Sequence, residues 1–300
     1  MNAIEIRGLK KSFRGLYALD GLDMTVPVGA IYGFIGENGS GKSTTEKLIC
    51  GHLVPDSGMI RLFDKSYKNP GVRARVGALI ENTGCFPEST VYQNLMMQAI
   101  NLGIKDRNEE INRVLKIVRM DDEARLKFKK CSLGMKQRIG IAMAMLGNPA
   151  LLILDEPING LDADGARLMR EILIDITYNE GGTVLISSHI LGELEKIATH
   201  YGIIRQGRMV QELSADELEG RSKVYTDVKT SELELSWQVL RKHFGNIRVE
   251  NGFIRVFDVN NPEEIIQVLM KSGHTPAEVV KNRVGLEEYY IELMSLKEVV

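Results

Sequence analysis

Short apolar runs recur through the first two thirds of the chain and are typical of buried strands. Because each run is apolar on both faces, together they suit the central strands of a covered, largely parallel sheet. They occupy residues 30–35, 76–80, 151–154, 184–186 and 202–204. Two earlier segments, 3–6 and 19–26, have an extended, partly alternating pattern that predicts antiparallel strands at the N-terminus.

Apolar residues at helical spacing lie between these runs. They predict helices over residues 108–120, 134–146 and 166–176. The segment from about residue 85 to residue 146 contains helical patterns and no clear strand, so we interpret it as a helical insert. Alternating strands and helices indicate an α/β fold with a mixed sheet.

The pattern changes after residue 213. A charged helical segment at 214–221 is interpreted as a linker, and the remainder, 222–300, as a small accessory domain. Its predicted order is β-α-β-β-α-β, which favours an α+β, ferredoxin-like fold. The strands are expected at 224–228, 247–249, 253–256 and 278–280, and the helices at 233–244 and 262–271. A terminal helix is expected near 286–293.

Charge and cysteine content narrow the function classes. The net charge of −2 gives no basic footprint for nucleic acid. Cys50, Cys85 and Cys131 are widely spaced, which excludes a recognisable zinc motif and suits a reducing cytosol. No run approaches the ~20 apolar residues of a membrane span, so if the protein works at a membrane, another chain does the spanning.

A glycine-rich loop follows the run at 30–35 and fits the phosphate-loop pattern G-x-x-x-x-G-K-[ST]. Its glycines allow backbone N–H groups to converge on polyphosphate, its lysine adds a positive charge, and its serine supplies a hydroxyl ligand for Mg²⁺. The segment therefore predicts ATP binding. The residues concerned are Gly36, Glu37, Asn38, Gly39, Ser40, Gly41, Lys42, Ser43 and Thr44.

Polar groups follow two further predicted strands. Asp155 and Glu156 come directly after the run at 151–154. Open α/β sheets bind ligands at the carboxyl ends of their strands, so Asp155 is a candidate Mg²⁺ ligand and Glu156 a candidate to polarise the attacking water. Ser187, Ser188 and His189 follow the run at 184–186, and His189 is a candidate contact of the γ-phosphate.

The segment Cys131-Ser132-Leu133-Gly134-Met135-Lys136-Gln137-Arg138 resembles the signature usually written LSGGQ. With the motifs above, it makes residues 3–213 resemble the nucleotide-binding subunit of ATP-binding cassette (ABC) transporters. The segment 159–162, which ends at Asp162, resembles the D-loop, and His189 resembles the switch histidine. Phe13 matches the aromatic residue that stacks on adenine, with Tyr17 as a second candidate.

This resemblance implies an ABC-type P-loop ATPase with a helical subdomain and three catalytic residues, Lys42, Glu156 and His189. It also implies that two such domains, expected to be a homodimer, pack head to tail and enclose each ATP. Ser132, Gly134, Gln137 and Asp162 would then serve the nucleotide held by the other copy. An integral-membrane permease is implied as the second partner, which would place the protein at the cytoplasmic face of the membrane.

Several positions depart from the family pattern, and two of them bear on the site. Glu81 stands where the Q-loop glutamine is usual and is a candidate oxygen ligand for Mg²⁺. Glu46 stands in the phosphate-loop helix where an apolar residue is common. Glu81 and the residues of the signature segment together make the chain similar to the subgroup that exports bacitracin-type antibiotics and lantibiotics. The alternative is a soluble ABC ATPase acting on nucleic acid or the ribosome; the chain lacks the paired cassettes, zinc-binding cysteines or coiled-coil insertions typical of those proteins.

Overall fold

The computed structural model describes residues 1–221, 224–259 and 261–296. The chain forms two compact units, Met1–Ala215 and Asp216–Val300. The boundary expected at residue 222 falls on a residue outside the described ranges. Within those ranges, no helix is long and apolar enough to cross a membrane.

In the first unit, strands and helices alternate for most of its length. Its strands are β1 (Asn2–Phe13), β2 (Leu16–Pro27), β3 (Ile31–Ile35), β4 (Ser57–Leu62), β5 (Lys65–Ser66), β6 (Val76–Leu79), β7 (Leu151–Asp155), β8 (Thr183–Ser188), β9 (His200–Arg205) and β10 (Arg208–Ser214). Its helices are α1 (Lys42–Ile49), α2 (Pro70–Arg73), α3 (Val91–Asn101), α4 (Arg107–Ile117), α5 (Leu133–Met145), α6 (Ala163–Tyr178) and α7 (Leu191–Leu194). A 3-10 turn spans Phe128–Lys130, and α8 (Ala215–Arg221) begins at the end of the unit.

The described strands of this unit form two sheets. One is antiparallel with the order β2-β1-β4-β5, and the other has the order β10-β9-β3-β8-β7-β6. In the second sheet β9, β3, β8, β7 and β6 are parallel, and only β10 pairs antiparallel. The expected mixed sheet with N-terminal antiparallel strands is confirmed. The sequence patterns did not predict β4, β5 and β10, because few of their residues are buried and no regular alternation marks them.

The core lies between the two sheets and α1. β3 is buried along its whole length, as its apolar sequence predicts. Gly202 on β9 makes room for Tyr32 on β3, since a Cβ there would lie 2.1 Å from the tyrosine hydroxyl oxygen. That hydroxyl donates to Glu212 Oε1 on β10 at 2.6 Å. The sheet edge formed by β10 is thereby tied to its central strand.

The helical subdomain contains α3, α4 and α5. Thr90 and Gln93 form a capping box at the start of α3. Such caps satisfy helix N–H groups that have no partner in the helix and contribute about 1 kcal/mol each. The Ser132 side chain caps α5 by accepting from Met135 N–H, without a capping box, and this fixes the start of that helix within the signature segment.

The second unit contains the expected β-α-β-β-α-β order. Its elements are β11 (Val224–Lys229), α9 (Leu233–His243), β12 (Ile247–Glu250), β13 (Phe253–Phe257), α10 (Pro262–Lys271), β14 (Glu278–Arg283) and α11 (Leu286–Leu296). All described pairs are antiparallel in the order β12-β13-β11-β14, the ferredoxin-like arrangement. Arg255 on β13 donates to Asp227 Oδ1 at 3.0 Å and to Glu288 Oε1 at 2.8 Å, so it links the sheet to α11.

One acidic side chain is enclosed in the core of the first unit. Glu46, on α1, has no exposed surface. Burial is the largest cause, and the nearby Asp155 carboxylate the next, of a pKa raised to about 8. A protonated carboxyl group is therefore the stable form of Glu46 in the folded protein at neutral pH.

This burial predicts a pH-dependent loss of stability. The carboxyl group ionises near pH 4.5 in the unfolded chain but near pH 8 in the folded one, so unfolding between these values releases a proton. The free energy of unfolding should therefore fall as pH rises through this window, by up to about 1.4 kcal/mol per pH unit relative to Glu46→Gln.

Urea unfolding of wild type and of Glu46→Gln between pH 4.5 and pH 8 measures the difference in their free energies of unfolding. The other titrating groups are the same in both proteins, so their contributions cancel. The exposed Glu109→Gln serves as a matched control and should track wild type. A pH-independent difference between wild type and Glu46→Gln would contradict the prediction.

Candidate active site

The phosphate loop connects β3 to α1 and depends on glycine at fixed points. A Cβ on Gly36 would lie 2.5 Å from the carbonyl oxygen of Ile204, so no side chain fits there. Gly39 and Gly41 have φ values of 80° and 114°, a region that other residues rarely adopt. The conformation of the loop therefore requires glycine at these three positions. The loop leads directly into the N-terminus of α1.

The ammonium group of Lys42 packs against the backbone of the phosphate loop. Lys42 is 6% exposed, and its Nζ donates to the carbonyl oxygens of Gly36 at 2.6 Å and Glu37 at 3.1 Å. The neighbouring Ser40 Oγ is buried and has no hydrogen-bond partner in the described part of the chain. A buried polar atom without a partner is uncommon, and a phosphate oxygen at this loop would satisfy it. Glu37 and Asn38 are exposed at the tip, and Thr44 is half-buried on α1.

Ser43 and Asp155 meet where α1 begins and β7 ends. Ser43 Oγ lies 3.5 Å from Asp155 Oδ2, and Ser187 Oγ donates to Asp155 Oδ1 at 2.7 Å. No group of three His, Cys, Asp or Glu side chains among the described residues is arranged to hold a metal ion. Mg²⁺ needs no such group, because it is usually held by one or two protein oxygens, water and substrate phosphates. The hydroxyl and carboxylate pair fits that requirement.

Glu156 and His189 lie together at the same end of the sheet. His189 Nδ1 is 2.8 Å from Glu156 Oε2. Glu156 has a φ of 52°, unusual for a residue with a side chain, and its backbone N–H donates to the carbonyl oxygen of Ser187 at 3.1 Å. Residues held in sparsely populated conformations cluster at functional sites. The arrangement brings a carboxylate and an imidazole next to the candidate metal pair.

Glu81 lies on the segment after β6 and is tied to α1. Its Oε1 is 2.5 Å from Lys47 Nζ, and its side chain is 59% exposed. Lys47 stands one turn after Ser43 on the same helix, so the ion pair joins the Q-loop position to the helix that begins at the phosphate loop. Like Glu156, Glu81 has a positive φ, of 62°.

The signature residues form a separate, outward-facing surface. Ser132 Oγ accepts from Met135 N–H at 3.3 Å, and Leu133 is 51% exposed. Asp162 caps α6 by accepting from Gly165 N–H at 2.8 Å. A cavity of about 330 Å³ lies between the two segments and is lined by Ser132, Gly134 and Asp162 among others. Gln137 is half-buried on α5.

Phe13 ends β1 and leaves 46% of its surface exposed. Tyr17, on the other strand of the same hairpin, is 62% exposed. The hairpin reaches the phosphate loop through β2, since a Cβ on Gly41 would lie 2.7 Å from Leu19 Cδ2. Both aromatic candidates for an adenine contact therefore stay available on one hairpin.

The sequence patterns missed two contributors to this site. The sequence identifies Ser187 only as a hydroxyl after a strand, because its hydrogen bond with Asp155 depends on the register of β7 against β8. The only feature of the sequence that points to Lys47 is its position one helical turn after Ser43. Neither partnership is visible until the strands and the helix are placed in space.

Comparison with known proteins gives consistent matches. Residues 19–159 match the family model described as ABC transporter. The bacitracin transport ATP-binding protein BcrA of Bacillus licheniformis is 35% identical over 97% of this chain and 97% of its own length. The lantibiotic transport ATP-binding protein SrtF of Streptococcus pyogenes is 36% identical over 75% of this chain and 96% of its own. The structure of cbiO1 from Clostridium perfringens, part of the ABC transporter complex cbiONQ, has a TM-score of 0.67 at 25% identity; the match covers 73% of this chain and 91% of that one.

The phosphate loop, the paired acids at the end of β7 and these matches agree with one another. The matches favour a transporter ATPase over the ABC proteins that act on nucleic acid or the ribosome. The chain belongs to the ABC transporter family, as an ATP-binding subunit with ATPase activity.

Proposed function

We propose that this chain powers a separate membrane permease that exports a peptide antibiotic or a similar drug-like molecule. The observation that carries the proposal is the 35% identity to a bacitracin transport ATP-binding protein across 97% of both chains. That match includes the second unit, and a lantibiotic transport relative supports the same substrate class. A location at the cytoplasmic face of the membrane follows from the permease partner.

Each residue of the site has a proposed role. The loop from Gly36 to Thr44 binds the phosphates, and Lys42 exchanges its carbonyl partners for phosphate oxygens. Ser43 and Asp155 hold Mg²⁺, with Glu81 as a further oxygen donor. Mg²⁺ supplies positive charge that draws the phosphate oxygens into place when it is bound.

The reacting water is proposed to bind beside Glu156. The carboxylate accepts its proton and directs an oxygen lone pair at the γ-phosphorus, as expected for a general base. His189, 2.8 Å from the same carboxylate, orients it and contacts the γ-phosphate. Phe13 is the proposed contact for the adenine ring.

A second copy of the chain is proposed to complete each site. Ser132, Gly134, Gln137 and Asp162 lie at or near an outward-facing surface, and the capped N-terminus of α5 directs backbone N–H groups outward. In a head-to-tail dimer this surface would meet the nucleotide held by the other copy.

The domain assignment is proposed as residues 1–213 for the ATPase, 214–221 for the linker and 222–300 for the accessory domain. The lantibiotic relative matches only 75% of this chain yet 96% of its own length. That difference supports an accessory role for the remaining part, outside the minimal cassette.

The substrate class is tested by expressing the chain with its cognate permease in a sensitive bacterial host. We expect protection against bacitracin or a lantibiotic, and no protection from the permease with Lys42→Ala in the ATPase. Protection that is equal with and without an active ATPase would contradict the proposal. Protection against neither class would remove the antibiotic assignment and leave the ATPase assignment in place.

The role of Glu156 is tested with Glu156→Gln. The amide keeps the shape but cannot accept a proton, so hydrolysis should fall roughly 100-fold or more while ATP binding is retained. Phosphate release and binding of a fluorescent ATP analogue measure the two effects, with the exposed Glu109→Gln as the control. Normal turnover in Glu156→Gln would rule out this carboxylate as the base.

The role of Glu81 is tested with Glu81→Gln and Glu81→Ala. Each breaks the ion pair with Lys47, and we expect lower ATPase activity with the permease present. The rate without permease separates a coupling defect from a binding defect. If coupled turnover is unchanged in both variants, Glu81 has no part in Mg²⁺ placement or in coupling.

A further inference from the structure

Glu46 stands behind the candidate metal site and has no role in the mechanism above. It follows Ser43 by one helical turn on α1, and its side chain is fully buried. Neither of its carboxylate oxygens has a hydrogen-bond partner among the residues that the structure describes. A buried carboxyl group in this state is destabilising, and an apolar side chain would fill the same space without that penalty.

The polar groups around Glu46 belong to the active site. The Ser187 hydroxyl on β8 lies beside its carboxyl group. The charges that act on Glu46 are those of Asp155 at the end of β7, Lys42 on its own helix and Glu156 directly after β7. The Cys50 thiol at the end of α1 is a further titratable neighbour. Glu46 therefore faces the acidic end of β7 from the core side.

The hydrogen bonds of Ser187 decide what Glu46 can do. A serine hydroxyl has one proton to donate and lone pairs that accept. Ser187 Oγ gives its proton to Asp155 Oδ1 at 2.7 Å and accepts from Glu156 N–H at 3.3 Å. It has no second proton for Glu46, so a hydrogen bond between these two side chains requires the carboxyl group of Glu46 to be the donor.

A neutral carboxyl group can make this donation, and burial among acids favours the neutral form. Neither oxygen of Glu46 makes that hydrogen bond in the structure, so the Glu46 side chain has to turn toward Ser187 to form it. The resulting chain of donors would run from Glu46 to Ser187 to Asp155. It leaves Asp155 Oδ2, which lies 3.5 Å from Ser43 Oγ, as the oxygen free for the metal.

We propose that Glu46 is a positioning residue for the magnesium site, acting by holding the Ser187 hydroxyl on Asp155. The inference rests on the proposed role of Ser43 and Asp155 as Mg²⁺ ligands. It assigns a role to a polar residue at a core position where an apolar one would suffice for packing. Glu46 does not touch the nucleotide.

The test uses the full chain and measures how Mg²⁺ changes binding of a fluorescent ATP analogue, a readout separate from hydrolysis. Glu46→Met removes the donor and keeps a similar volume, whereas Glu46→Gln keeps a donor in its amide group. We expect the Mg²⁺ concentration for half-maximal effect to rise roughly ten-fold in Glu46→Met and to change by less than about three-fold in Glu46→Gln. Affinity in the presence of a chelator should not change.

The matched control is Thr177→Val. Thr177 is also buried, and its hydroxyl donates to the Leu173 carbonyl within α6. The Mg²⁺ dependence of this variant should equal that of wild type. That result would show that the loss of a buried polar group elsewhere does not by itself change the Mg²⁺ dependence.

Ser187→Ala gives a second route that does not depend on the folding of Glu46→Met. It should weaken the Mg²⁺ effect by a similar factor, and in the Ser187→Ala background either Glu46 substitution should add little, because the two act in series. Additive effects of the two positions would overturn the proposal.

The remaining outcomes also decide the matter. If Glu46→Met shows wild-type Mg²⁺ dependence, Glu46 has no positioning role. If Glu46→Gln is as impaired as Glu46→Met, a donor at this position is not what matters and the proposal is wrong. If wild type itself shows no Mg²⁺ dependence, the proposed metal site fails first and this inference fails with it.

Discussion

The parallel pairing of β3, β8 and β7 is the constraint on which the site depends. The three strands end at one edge, so the phosphate loop after β3, Ser187 at the end of β8 and the acids at the end of β7 meet without long connections. The register of Asp155 opposite Ser187 is part of the same pairing. A shift of one residue would turn Asp155 away from Ser187 and α1.

The sequence predicts those parts of the site that are encoded by residues next to one another in the chain. The loop from Gly36 to Thr44 needs particular backbone angles and a lysine, and both leave a mark on neighbouring residues. Strand β3 was equally clear, because burial on both faces leaves no alternation. The strands that the patterns did not predict, β4, β5 and β10, consist mainly of exposed or half-buried residues, and their mixed composition is that of many loops.

Contacts between distant segments were not accessible in the same way. The Lys47–Glu81 pair joins residues that are far apart in the chain, and its geometry depends on where β6 ends relative to α1. Glu46 was visible as an exception to the usual apolar pattern, but its meaning required knowing what lies across the helix. In both cases the residue type was informative, and the neighbour that explains it was supplied only by the fold.

The exposed cap at Ser132 has a kinetic consequence. If each nucleotide site needs this surface from a second copy, the hydrolysis rate of dilute chains would be second order in chain concentration. Free chains at low concentration would then turn over slowly, because two copies seldom meet. Two chains held on one membrane partner would meet at an effective concentration in the millimolar range. The permease would then act on the ATPase chiefly by setting how often the two halves meet, before any change in their chemistry.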